Sequence, residues 1–95
     1  FSHAILKRAK EGDFRVQDDF GGTVERYIPC SKEISFALDV ISACKTKPSY
    51  GRVDIVWDES KEVYLSELEL FEPELWFREH SKSADMLAEA VKKIL

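Results

Sequence analysis

Four charged side chains carry the strongest chemical signal in this chain: Arg52 and Asp54 in the run Arg52-Val53-Asp54, and Glu67 and Glu69 in Leu65-Ser66-Glu67-Leu68-Glu69-Leu70. Spacing by two puts residues of a strand on one face. Val53, Ile55 and Trp57 then share a face, with Arg52 and Asp54 on the other. In the return strand Tyr64, Leu68 and Leu70 oppose Glu67 and Glu69 in the same way. Both apolar sets need the core, and this requirement sets the parity of the pairing. A tight turn centred on Ser60-Lys61 then puts Asp54 opposite Glu67 and Arg52 opposite Glu69. Two chemistries are open to such a face. It is a solvated surface whose Arg52–Glu69 pair contributes ~0.2–1 kcal/mol, or its repelling carboxylates share a hard divalent cation. An all-oxygen set suits Mg²⁺ or Mn²⁺ completed by phosphate oxygens.

The opposite charge comes from the N-terminal part. Arg15 and Gln17 share a face of a short extended piece. If Ala4 and Leu6 go core-side with Phe14 and Val16, then His3, Ile5 and Lys7 lie with Arg15. This basic group is a solvated face on its own. Across a cleft from the acidic hairpin it becomes an anion clamp, with Arg8 able to replace Lys7.

The elements that must position these residues follow from pattern and punctuation. Residues 2–8, 14–17, 23–28, 52–57 and 63–70 read as strands, with Gly21-Gly22 marking a loop. A helix is expected from Ser31 as N-cap to residues 45–47, before Pro48, with Ile34, Leu38, Ile41 and Cys44 on its apolar stripe. A second helix is expected over residues 83–95, with Ala84, Leu87, Ala88, Val91 and Leu95 inward. Residues 71–80 read as irregular, with Pro73 opening a short helix or a turn. The order β-β-β-α-β-β-α implies an α+β fold, an antiparallel sheet of about five strands packed by two helices, in one domain over residues 1–95.

Composition bounds the function. The chain has 95 residues, 44% hydrophobic and 34% charged, with net charge −4, the balance of a globular domain. The acidic surplus argues against a nucleic-acid partner held by a basic surface. No apolar run is long enough to cross a bilayer and no signal-peptide pattern opens the chain, so no membrane partner is expected. Cys30 and Cys44 form no disulfide framework or metal pattern; they read as reduced thiols on apolar faces in a cytoplasmic protein. His3 and His80 have no zinc-type spacing. The chain opens on Phe1 rather than Met, and is expected to be processed or part of something longer.

Residues 7–17, containing Gly12-Asp13-Phe14-Arg15-Val16-Gln17 and followed by Gly21-Gly22, resemble a stretch of the ATP-grasp ligases. The similar branch includes bacterial glutathione synthetases, ribosomal-protein glutamate ligases and the cycloserine-forming ligase. Arg52-Val53-Asp54, with Glu67-Leu68-Glu69-Leu70-Phe71-Glu72-Pro73, resembles the metal-binding end of that family. The resemblance spans nearly the whole chain and implies the C-terminal ATP-grasp lobe. It implies Asp54, Glu67 and Glu69 as Mg²⁺ (or Mn²⁺) ligands at the ATP phosphates and Arg15 at the transferring phosphoryl group. Lys7 and Gln17 would be further nucleotide contacts, and Arg52 would hold a substrate carboxylate or phosphate. Glu69 and Gln17 stand where many members have Asn. The implied activity is carbon–nitrogen ligation through an acyl phosphate, on a small carboxylate and an amine. The other lobe, the adenine-reading hinge and the substrate domain would lie in the remainder of the same chain, so the segment alone is expected to be inactive. The alternative is a stand-alone metal-binding or protein-docking module, with Trp76 and Phe77 exposed beside Pro73 rather than packed under the last helix.

Overall fold

Alternating side chains give this chain two antiparallel strand pairs, and a helix follows each of them. The computed structural model describes residues 1–8 and 22–95. Strands β1 (Ala4–Arg8) and β2 (Thr23–Tyr27) pair antiparallel, with Ala4 opposite Tyr27 and Lys7 opposite Val24. Helix α1 spans Ser31–Ser42. Strands β3 (Arg52–Trp57) and β4 (Val63–Glu69) form the second antiparallel pair. A single 3-10 turn, Phe77–Glu79, precedes helix α2 (Lys82–Lys92).

The fold is α+β, but among the described residues its strands form two separate two-stranded sheets rather than one sheet of about five. Alternation identifies strands and their inward faces; it does not say which outer edges meet, because edge pairing joins segments far apart in sequence. The expected strand at residues 14–17, with Arg15 and Gln17, lies outside the described residues.

Helix α1 begins one residue earlier than an N-cap at Ser31 implies. Cys30 is the N-cap, in extended conformation, and Glu33 occupies the third helical position. The Glu33 carboxylate accepts the Cys30 backbone N–H at 2.8 Å and the Tyr27 hydroxyl at 2.9 and 3.1 Å. One of the helix's unpaired N-terminal donors is thereby satisfied. The helix stops at Ser42, short of the expected residues 45–47. There the Ala43 N–H is shared between the Asp39 and Val40 carbonyls and Cys44 N–H bonds Ile41, a tightened last turn. Cys44 therefore falls beyond the helical stripe and is half-buried, while Cys30 is exposed rather than inward; both are free thiols.

Gly51 brings α1 and the second hairpin together. A Cβ there would stand 2.7 Å from Leu70 Cδ2 and 3.6 Å from Ile41 Cδ1. Trp76 is the one buried apolar side chain among the described residues, joined by buried Glu33 and Ser83. Helix α2 ends at Lys92, short of the expected residue 95; Leu87 is half-buried, but Val91 and, beyond the helix, Leu95 are exposed, so the expected inward stripe is covered only in part. The segment before α2 is tied to β1 through histidines. The His3 and His80 rings stack at 5.0 Å, 7° from parallel, and His3 Nε2 donates to the Leu75 carbonyl at 2.7 Å. No described helix is long and apolar enough to cross a membrane.

Candidate functional site: a guanidinium ringed by carboxylates

The β3–β4 hairpin owes its shape to a turn and a bulge. Asp58 N–H bonds the Glu62 carbonyl at 3.1 Å, and Lys61 N–H bonds the Asp58 carbonyl at 3.0 Å. Lys61 takes a left-handed φ of 65°, which makes residues 59–61 a three-residue loop rather than a turn centred on Ser60-Lys61. The Asp58 carboxylate accepts Glu62 N–H and the Tyr64 hydroxyl at 2.9 and 3.1 Å. These bonds, led by the Glu62 N–H, hold its pKa below the ordinary aspartate value.

From this turn Trp57 pairs with Val63, Val56 with Tyr64 and Ile55 with Leu65. Ser66 then has no partner, and Asp54 pairs with Glu67, Val53 with Leu68 and Arg52 with Glu69. The expected register at the acidic end is therefore present, and it is reached by a different route. The bulge at Ser66 reverses parity between the two ends of β4. Val63 and Leu65 consequently join the face of Val53, Ile55 and Trp57, while Tyr64 moves opposite Val56, off the apolar set to which simple alternation assigns it.

At the acidic end, all three carboxylates meet one cation. Arg52 grips Asp54 with two bonds, Nε to Oδ1 at 2.8 Å and Nη2 to Oδ2 at 2.9 Å. Its Nη2 also lies 3.2 Å from Glu69 Oε1 and 3.8 Å from Glu67 Oε2. Nη1 donates to the Glu74 carbonyl at 3.2 Å. The Arg52 side chain is 18% exposed, against 25% for Asp54, 32% for Glu69 and 60% for Glu67. Its bond to Asp54, aided by the charges of Glu69 and Glu67, raises an already high guanidinium pKa. The Asp54 pairing along one strand and the Glu74 carbonyl were not visible in the cross-strand pattern. A neighbour two residues away on the same strand face was the available signal.

The basic group is placed in part. Lys7 does not touch the carboxylates; its Nζ lies 5.4 Å from the centre of the Trp76 ring. Arg78 approaches the same ring, its Cζ at 4.6 Å, and pairs with the Glu74 carboxylate at 2.9 Å. Residues 74–78 therefore receive Arg52 from one hairpin and Lys7 from the other. Arg8 turns instead to Glu25, at 3.6 Å. Trp76 is buried, which goes against the exposure that the docking alternative requires, whereas Phe77 is 37% exposed.

The fit of a divalent cation can be judged from this arrangement. Three carboxylates against one guanidinium leave two negative charges uncompensated, and the oxygen donors are the hard type that Mg²⁺ or Mn²⁺ takes. In donor type and charge the cluster suits such an ion. Its present shape is organised on Arg52, and among the described residues no group of three His, Cys, Asp or Glu side chains is arranged to hold a metal. A cation would have to share or displace the guanidinium's hold on Asp54. Comparison with family models, with curated proteins and with solved structures gives no match.

Proposed function

We propose that this chain is the C-terminal lobe of an ATP-dependent carboxylate–amine ligase, resembling ATP-grasp enzymes, in which Asp54, Glu67 and Glu69 serve Mg²⁺ or Mn²⁺ at the ATP phosphates. The observation that supports this most is the pairing of Asp54 with Glu67 and Arg52 with Glu69, which gathers three carboxylates about one cationic point. In the reaction, a substrate carboxylate takes the γ-phosphoryl group of ATP, releasing ADP. An amine then attacks the acyl phosphate, releasing phosphate and leaving an amide. A bound divalent cation supplies charge neutralisation at the phosphate oxygens. Arg52, with five donors and a high pKa, orients a substrate carboxylate or phosphate once released from part of its hold on Asp54. Arg15 steadies the transferring phosphoryl group, and Lys7 and Gln17 add nucleotide contacts. The substrate pocket and the adenine-binding lobe belong to the remainder of the chain, and the setting is the cytoplasm.

The test is thermal unfolding with and without Mg²⁺ or Mn²⁺. The expected result is a modest rise in Tm for the native sequence and none for Glu67→Gln. Identical responses from the two proteins would sink the metal assignment. A docking module is the second reading, favoured by the 84% exposure of Phe71 and 95% exposure of Ile28. ADP release by the full-length protein with a carboxylate and an amine favours the ligase; its absence with every such pair favours docking.

A further inference from the structure

Helix α2 carries a wider apolar arc than the rest of the domain covers. With about 3.6 residues per turn, Ser83, Leu87 and Ala90 fall on one side, and these are its buried and half-buried positions. Ala84, Ala88 and Val91 follow at helical spacing on the neighbouring strip, and all three are exposed, Val91 at 37%. Past Lys92 the chain tightens: Ile94 N–H bonds the Val91 carbonyl at 3.1 Å and Leu95 N–H the Lys92 carbonyl at 3.3 Å. Residues three apart eclipse in such a turn, so Ile94, 70% exposed, continues the strip beyond Val91. An amphipathic helix normally turns its apolar residues to a packed neighbour; this strip has none among the described residues. The charges beside it say what fits. Asp85 and Lys92, two turns apart, lie on the same flank of the strip, and both are exposed. Lys92 pairs with Glu89 of its own helix at 3.4 Å, in solvent, where such a pair is easily exchanged.

We propose that α2 pairs with α2 of a second copy of this chain, antiparallel and about a two-fold axis. Reversing one helix against the other sets Ala88 against the partner's Val91, and Ala84 against the end of the partner's strip at Ile94. Small side chains then meet large ones, twice over by symmetry. In an antiparallel pair each flank meets the same flank of its partner. Asp85 therefore stands beside the partner's Lys92, and Lys92 beside the partner's Asp85. A parallel pair would set Ala84 on Ala84 and Val91 on Val91, and would give neither charge an opposite. Opposed helix dipoles add to the antiparallel preference. Eleven residues make a contact of about three turns, smaller than a standard interface, so the pair is weak and depends on concentration. The inference uses none of the residues about Arg52, so its failure and that of the ligase reading are separate results.

The test is sedimentation equilibrium, in which the native chain is expected to dimerise as its concentration rises toward about 1 mM. Asp85→Lys and Lys92→Asp should each weaken the dimer about tenfold, because each turns two attractive contacts into two repulsive ones. Both substitutions also oppose the helix dipole, a cost that circular dichroism reads separately. A mixture of the two variants removes that ambiguity. In the mixed pair every flank contact is again between opposite charges, so it should associate about tenfold more tightly than either variant alone, although neither helix has been repaired. A native chain that stays monomeric at about 1 mM overturns the inference and leaves the strip to a different protein or a further segment of polypeptide. A dimer unmoved by either substitution, or a mixture no tighter than its components, overturns it as well.

Discussion

Glu33 and Asp54 are both drawn out of bulk water and held by at least two hydrogen bonds, but by opposite kinds of partner. Glu33, 4% exposed, is held by neutral donors: the Cys30 backbone N–H and the Tyr27 hydroxyl. Asp54 is held by the full charge of Arg52 and keeps a quarter of its side chain in solvent. A neutral cage built from a helix start and a strand end cannot be exchanged without dismantling both. An ion pair at the surface can be exchanged, because another cation satisfies the same oxygens. The first carboxylate joins β2 to α1, and the edge-on contact of Tyr27 with Trp57, 6.0 Å between ring centres, extends that joint to β3. The second sits at the surface, held by a single charged partner.

The largest expected effect separates these roles at the buried end. Glu33→Ala strands the Tyr27 hydroxyl and the Cys30 N–H and should cost about 3 kcal/mol in urea unfolding. The pH dependence has a definite sign. Burial pushes the Glu33 pKa up, but the bonds from Cys30, Tyr27 and Trp57 together bring it below the ordinary glutamate value. Its stabilisation is therefore complete above the unfolded-state value of about 4.3 and is lost as pH falls through the lower folded value. The deficit of Glu33→Ala should shrink as urea titrations move from neutral pH to about pH 3. A deficit that stays constant would remove the charged form from the explanation.

A smaller effect is expected at Arg52. Arg52→Met should destabilise by about 1–3 kcal/mol, the partial exposure reducing the loss from that of a deeply buried pair. Unlike the Glu33 deficit, this one should be partly restored by millimolar Mg²⁺, as read by Tm. If Mg²⁺ restores neither variant or both, the contrast between a fixed and an exchangeable carboxylate fails. The smallest change lies at the turn between the two strands: Lys61→Gly relieves a left-handed residue and should raise stability by about 0.5 kcal/mol, read from urea midpoints.

Legibility in the sequence followed the range of the interaction. The strands from Arg52 and Val63, and the facing pairs Asp54–Glu67 and Arg52–Glu69, were readable because alternation and a short reversal suffice to set them. The position of Tyr64 was not, since an unpaired Ser66 leaves no mark in the hydropathy pattern. Glu33 was readable as an acid in a first helical turn, but not as a buried joint, because its second partner, Tyr27, lies on the preceding strand. The separation of the two sheets depends on edges distant in sequence, and local pattern carries no information about them.

The unpaired Ser66 also bears on insertions and deletions. Removing it would let Leu65 and Glu67 become neighbours in an unbroken ladder, and all six cross-strand pairs from Arg52–Glu69 to Trp57–Val63 would keep their partners. What would change is direction, because a bulge bends its strand and increases its local twist. The hairpin thus stores its pairing and its aim in different residues. A chain one residue shorter at this point could keep the same carboxylates in the same order and yet present them along a different line.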